Sequence, residues 1–69
     1  MSGIVIFANG AKRECARGAT VADLLRALDL SPSLVLIEHN GEPLERERYG
    51  ELALSDGDCI EIAQMVGGG

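Results

Sequence analysis

The last nine residues of the chain read Glu61-Ile62-Ala63-Gln64-Met65-Val66-Gly67-Gly68-Gly69. An apolar strand runs directly into three glycines there. Glycine loses more backbone entropy on ordering than any other residue, so this pattern favours an unpinned tail. A tail without Cβ atoms can enter a narrow cleft, and when extended it reaches roughly 10 Å past Val66. The sequence predicts a folded domain over residues 1–66 and a flexible tail over residues 67–69 that presents the Gly69 carboxylate.

Two functions fit such a tail when it is considered alone. The first is that of a carrier whose reactive atom is the carbonyl carbon of Gly69, activated by a partner enzyme and then attacked by a nucleophile. The second is an inert linker, because glycine-rich ends also occur where no chemistry takes place. The tail alone does not distinguish these two functions, so the distinction must come from the rest of the sequence.

The composition indicates one small aliphatic domain. The chain has 69 residues, 46% of them hydrophobic, with one Phe and one Tyr. A domain of this length buries only about 60% of the surface that its unfolded chain exposes, so its core cannot also hold a deep cavity. We therefore expect a core of Ile, Val, Leu and Ala, and no internal active site.

Charge, cysteines and hydropathy restrict the partners and the compartment. The formal net charge of −5 repels a phosphate backbone, so nucleic acid is a poor partner and a basic protein surface a better one. Cys15 and Cys59 form no CxxC motif, and without a secretory signal we expect neither a metal site nor a disulfide. The apolar runs are far shorter than the roughly 20 residues of a membrane span. The sequence predicts a cytoplasmic protein that does not enter membranes and is monomeric when free.

The first third of the chain predicts a hairpin. Ile4 to Ala8 is rich in β-branched residues and is followed by Asn9-Gly10, the dipeptide that best tolerates the positive φ angles of a tight turn. Ala11 to Ala16 is the returning strand, and its charged residues are typical of a sheet edge.

An amphipathic helix follows this hairpin. Thr20 offers an N-cap oxygen, and Asp23 is its capping-box partner. Apolar residues then recur at helical spacing: Val21, Leu24, Leu25 and Leu28. We expect about three turns, ended by Ser31-Pro32 because a proline disfavours the α conformation in the residue before it.

The second half predicts two further strands before the last one. Leu34 to Ile37 is apolar at every position, as expected for a strand near the sheet centre that the helix covers on one face. Glu42 to Leu44 can be only a short edge strand, because Pro43 has no amide hydrogen for a strand ladder. The mixed charges of Glu45 to Tyr49 indicate a solvated turn or a single helical turn.

The last strand follows a turn at Ser55 to Asp58. If Ile60 and Ile62 point to the core, the opposite face carries Cys59, Glu61, Ala63 and Met65. An adaptable methionine on this face, beside the tail, suits a partner contact. The element order is that of the β-grasp architecture, an α+β fold. We expect a mixed sheet of four to five strands, with strands one and five parallel at its centre and the helix across one face.

Few side chains inside the domain could perform catalysis. His39 is the sole histidine and lies beside a turn, so we expect it to be structural or exposed. No phosphate-binding GxxxxGK[ST] spacing occurs, and Asp56 and Asp58 lack the ligand count of an EF-hand. A strand cysteine is usually inert.

Several short motifs extend over nearly the whole chain. They are the Asn-Gly hairpin, the Thr-Val-x-x-Leu-Leu helix start (Thr20 to Leu25), the turn Asn40-Gly41-Glu42-x-Leu44, the acidic turn Asp56-Gly57-Asp58 and the ending Val66-Gly67-Gly68-Gly69. Together they resemble the ubiquitin-like sulfur carriers, and among these the ThiS carriers of the thiamine pathway. The resemblance argues against the linker interpretation of the tail.

The resemblance implies a chemistry that partner enzymes perform on Gly69. A ThiF-type adenylating enzyme would use ATP and Mg²⁺ to form an acyl-adenylate, and a persulfide from a cysteine desulfurase system would displace AMP. Reductive release would leave a thiocarboxylate, whose sulfur a ThiG-type thiazole synthase would accept. The chain itself would bind no cofactor and would not be an enzyme. The residues in contact with the partner would be Ala63, Met65, Val66, Gly67 and Gly68.

Three other functions remain open on the sequence. The small subunit of molybdopterin synthase is a carrier with the same fold and ending, although such chains tend to be longer, with aromatic and proline residues before the tail. A ubiquitin-like modifier would transfer the same activated carboxylate to a lysine amine. A plain interaction module would use the sheet surface and not need Gly69.

Overall fold

A computed structural model describes residues 3–65 of the chain. Its strands are β1 (Gly3–Ala8), β2 (Ala11–Ala16), β3 (Val35–His39), β4 (Glu42–Leu44) and β5 (Cys59–Gln64), and its helix is α1 (Val21–Ala27). Two 3₁₀ turns span Pro32–Leu34 and Arg46–Arg48. None of the helices within residues 3–65 is long and apolar enough to cross a bilayer.

The strands form one mixed sheet in the order β2-β1-β5-β3-β4. β5 runs parallel to β1 and antiparallel to β3, while β1–β2 and β3–β4 are antiparallel hairpins. This arrangement confirms the predicted β-grasp architecture, with the first and last strands parallel and side by side. The short strand β4 lies at the edge of the sheet, as Pro43 predicted.

The core lies between one face of the sheet and α1. Its buried members are Ile4, Ile6, Val21, Leu24, Leu25, Val35, Ile37, Tyr49, Leu54 and Ile60. Ile62 is half-buried and packs against this cluster, so the predicted alternation of β5 is confirmed. Aliphatic side chains dominate the core, as the composition indicated.

The helix begins as predicted but is shorter than predicted. The hydroxyl of Thr20 accepts a hydrogen bond from the Asp23 N–H (3.2 Å), and the Asp23 carboxylate accepts one from the Thr20 N–H (2.9 Å). The prediction of about three turns ending at Ser31-Pro32 is wrong, because α1 has seven residues and ends at Ala27. Asp29 adopts a left-handed conformation (φ 60°) and the Leu30 N–H donates to the Leu25 carbonyl (2.9 Å). These contacts form a Schellman cap, which ends the helix before the proline is reached.

The Leu34 to Ile37 segment shows two differences from the prediction. Leu34 belongs to a 3₁₀ turn, so the strand begins at Val35. Val35 and Ile37 are buried, whereas Leu36 on the other face is 58% exposed. The run of four apolar residues therefore contains a strand whose burial alternates although its residue types do not.

The charged run Glu45 to Tyr49 does form a single helical turn, but two of its side chains also support the fold. Tyr49 is buried, and its hydroxyl donates to the Val35 carbonyl (3.2 Å). The Arg46 guanidinium donates to the carbonyls of Pro32 and Val35. These contacts fasten the long connection between β4 and β5 to the start of β3.

Candidate functional site

The C-terminal end of the chain leaves from the central strand of the sheet. β5 pairs with β1 at Cys59 and Ile60 and with β3 from Ile60 to Gln64. One residue further, the Met65 N–H donates to the Leu34 carbonyl (2.8 Å). The structure thus holds the chain up to Met65 against neighbouring backbone. The predicted tail, residues 67–69, and the predicted contact residue Val66 lie outside the described residues.

The two Asn-Gly turns fasten β5 as well as reversing the chain. Asn9 and Asn40 have the positive φ angles predicted for such turns, 51° and 52°. The Asn9 side chain accepts from the Ile62 N–H (2.7 Å) and donates to the Ile62 carbonyl (3.1 Å). The Asn40 side chain accepts from the Cys59 N–H (2.8 Å). From the sequence these asparagines were predicted only as turn formers, and their bonds to β5 are an additional role.

A buried carboxylate joins the turn before β5 to the turn after β3. One oxygen of Asp58 accepts from the Ser55 N–H (2.8 Å) and contacts His39 Nε2 (2.9 Å), and the other accepts from the Asn40 amide (3.1 Å). Burial raises the pKa of the Asp58 carboxyl, but these hydrogen bonds outweigh burial and hold the pKa below its ordinary value. His39 is therefore a structural residue, in line with the prediction.

The face of the sheet opposite α1 carries an apolar patch, formed by Leu36, Ala63 and Met65. Leu36 lies directly opposite Ala63 across the β3–β5 pair, and Met65 continues the alternation of β5. Leu36 is 58% and Met65 45% exposed. Ala63 and Met65 were predicted from the alternation of β5, whereas Leu36 was not predicted, because a wholly apolar run does not reveal which residues face the solvent.

Two carboxylates lie beside this patch on the same face. Glu38 of β3 and Glu61 of β5 are directly opposite each other, and both are exposed. Like charges in this position destabilise a sheet. The pair costs stability in the isolated protein and suits contact with a cationic surface.

The described residues offer little else for chemistry. No group of three His, Cys, Asp or Glu side chains within residues 3–65 could hold a metal ion. Cys15 is half-buried, Cys59 is exposed, and both are free thiols. Within residues 3–65, the candidate functional site is therefore the end of β5 with the apolar patch beside it.

Comparison with known proteins identifies the family. The model of the ThiS family matches residues 6–69. The chain is 46% identical over 50 residues to the sulfur carrier protein ThiS of Bacillus subtilis, covering 72% of this chain and 76% of the relative. It is 34% identical over 64 residues to a thiazole synthase of Magnetococcus marinus, covering 93% of this chain but only 20% of that protein.

A solved structure agrees with the sequence relatives. The crystal structure of the thiamine biosynthesis protein ThiS from Geobacter metallireducens superposes with a TM-score of 0.74 at 36% identity, covering 96% of this chain and all of the other. Sequence and fold therefore agree on one assignment. The chain belongs to the ThiS family of sulfur carrier proteins.

Proposed function

We propose that this protein carries sulfur to thiazole formation in thiamine biosynthesis, as a thiocarboxylate at Gly69. The observation that carries the proposal is the family match, which extends through the terminal glycines to residue 69. A segment homologous to this chain also occupies about a fifth of a thiazole synthase. A carrier and an enzyme that share one polypeptide are expected to act on each other, so thiazole synthase is the proposed sulfur acceptor.

The proposed chemistry has three balanced steps at the Gly69 carbonyl. A carboxylate oxygen attacks the α-phosphorus of ATP, pyrophosphate leaves, and an acyl-adenylate forms. The terminal sulfur of a cysteine persulfide then attacks the carbonyl carbon and AMP leaves, which gives an acyl disulfide. The thiolate of a further thiol attacks the cysteine sulfur of this acyl disulfide; a new disulfide forms between the thiol and that cysteine, and the thiocarboxylate leaves. A ThiF-type adenylating enzyme would supply the ATP and Mg²⁺ site, and a cysteine desulfurase the persulfide.

The described structure supports a carrier role in which partner enzymes bind the folded domain. The apolar patch of Leu36, Ala63 and Met65 lies at the same end of β5 as the start of the tail. An enzyme that holds this patch has the tail within reach of its active site. The Glu38–Glu61 pair and the net charge of −5 favour a partner surface with an apolar hollow rimmed by Lys or Arg.

Intact mass spectrometry tests the chemistry. The chain is incubated with the adenylating enzyme, ATP, Mg²⁺, a persulfide source and a thiol reductant, and its mass is expected to rise by the difference between one sulfur and one oxygen. A variant that lacks Gly69 is the control and is expected to keep its mass and its melting temperature. Covalent attachment of the chain to lysines of other proteins would indicate a protein modifier. Transfer of the sulfur to a pterin would indicate the molybdopterin pathway. An unchanged mass of the wild-type chain would indicate an inert interaction module.

A pair of variants tests the docking face. Met65→Glu places a charge in the apolar patch and is expected to weaken binding to the adenylating enzyme, while the fold persists because Met65 is exposed. Gln64→Glu adds the same charge one residue earlier, on the opposite face of β5. Equal loss of affinity in both variants would show that charge near the tail, and not the patch, determines binding.

A further inference from the structure

β5 continues past the end of the strand that runs parallel to it. The β1–β5 pairing ends at Ala8 and Ile60, and the Asn9 N–H then donates to the Ile60 carbonyl (2.9 Å) as the chain turns towards β2. β5 goes on for four more residues, to Gln64. On this side its edge faces a groove of about 310 Å³, whose lining includes Leu28, Leu30 and Gln64.

The side chain of Asn9 takes the place of the missing strand. Its amide bonds both backbone groups of Ile62, through an accepted hydrogen bond of 2.7 Å and a donated one of 3.1 Å. In a parallel pair such as β1–β5, the N–H and the carbonyl of Ile62 would bond two different residues of the neighbouring strand, and here one side chain bonds both. The end of β5 is therefore held on one side by the β3 ladder and on the other by a single side chain, three residues before Met65.

We propose that Asn9 is a positioning residue for the reaction at Gly69: its amide fixes the direction in which the chain leaves the sheet relative to the apolar patch. The inference rests on the proposed function, because activation needs the patch docked and the Gly69 carboxylate in the active site at the same time. Without the Asn9 bonds the end of β5 frays. A smaller fraction of molecules then presents the apolar patch and the Gly69 carboxylate to the enzyme at the same time. The apparent affinity falls by that fraction, whereas turnover of the bound carrier does not change.

The two Asn-Gly turns provide a matched pair of variants. Asn9→Gly removes the bonds to Ile62, and Asn40→Gly removes the bond to Cys59 at the far end of β5. Glycine adopts positive φ freely, so both turns keep their shape. Asn40→Gly also loses the contact with Asp58, so its loss of global stability is at least as large as that of Asn9→Gly.

Carrier-dependent exchange of pyrophosphate into ATP by the adenylating enzyme tests the inference. Asn9→Gly is expected to raise the KM for the carrier roughly tenfold, the effect of losing one to two hydrogen bonds, and to leave kcat unchanged. Asn40→Gly is expected to leave both constants unchanged. Amide hydrogen exchange provides a second readout: the Ile62 N–H loses protection in Asn9→Gly and keeps it in Asn40→Gly.

Other outcomes would overturn the inference in distinguishable ways. A KM for Asn9→Gly equal to that of the wild type, or an equal rise in both variants, would show that Asn9 serves stability alone while the proposed function stands. A kcat that falls with unchanged KM would contradict the positioning argument. Absence of exchange with the wild-type chain itself would overturn both the inference and the proposed function.

Discussion

Replacing Asp58 by Asn should remove the electrostatic link between the turn before β5 and the turn after β3. The carboxylate accepts hydrogen bonds at both oxygens, from Ser55, His39 and Asn40. An amide of the same shape has one oxygen and one NH₂ group. Whichever way it is oriented, the NH₂ group meets at least one of these donors, and that donor loses its partner.

The expected loss of stability at neutral pH is about 2–3 kcal/mol, the range for hydrogen bonds to a charged group together with an unsatisfied donor. In a domain of this size each kcal/mol shifts the melting temperature by about 4–8 °C. The loss should depend on pH. Because folding lowers the pKa of Asp58, its ionised form stabilises the native state above the unfolded pKa of about 3.9, and this stabilisation disappears as the pH falls through the folded pKa.

Urea unfolding followed by circular dichroism between pH 7 and pH 3 measures both effects. The free-energy gap between wild type and Asp58→Asn should stay constant down to about pH 5 and narrow below about pH 4. Asp29→Asn is the matched control, since it makes the same charge change at an exposed residue whose left-handed conformation Asn tolerates. A gap at pH 7 no larger than that of the control, or one that stays constant to pH 3, would refute the assignment of Asp58 as the ionised centre of this network.

Three further variants test other parts of the fold by the same unfolding assay. Asp29→Gly should stabilise the protein by about 1 kcal/mol, because glycine adopts the left-handed conformation of the helix cap without strain; a loss of stability would contradict the Schellman cap. Thr20→Ala should cost about 1 kcal/mol through the lost N-cap bond, and an unchanged free energy would show that the cap contributes nothing. Leu25→Ala should cost about 2–5 kcal/mol, since Leu25 is fully buried under the sheet, and a smaller cost would mean that the core collapses around the cavity.

The fold could be predicted wherever a local rule decided the conformation. Asn9-Gly10 fixed the first hairpin and its register, and Thr20 with Asp23 fixed the start of α1, because in both cases the controlling contacts lie within a few residues in sequence. The end of α1 could not be predicted from the proline. Asp29 in a left-handed conformation ends it earlier, and nothing in the sequence distinguishes this aspartate from a solvent-facing helical one.

The side-chain contacts that hold β5 could not be predicted from the sequence either, for a different reason. Asn9 bonds a residue 53 positions away, and Asn40 one 19 positions away. Such pairs exist only once the sheet has brought the turns beside the last strand. Tyr49 is similar, since its charged neighbours suggested a solvated turn and its buried hydroxyl bond to Val35 depends on the tertiary fold.

The one place where the hydrophobic pattern failed is also the place where the proposed docking face lies. A strand with one solvated face should alternate, but Leu36 puts a large apolar side chain where alternation calls for a polar one. The exposed Leu36 side chain does not stabilise the isolated protein, and the Glu38–Glu61 pair beside it does not either. Residues that break a local rule without a compensating contact inside the protein are expected where a surface meets a partner. Leu36→Ser should therefore restore the alternation at little cost to stability and weaken binding of the adenylating enzyme. Unchanged binding would leave the exposed leucine without a functional explanation and remove β3 from the proposed interface.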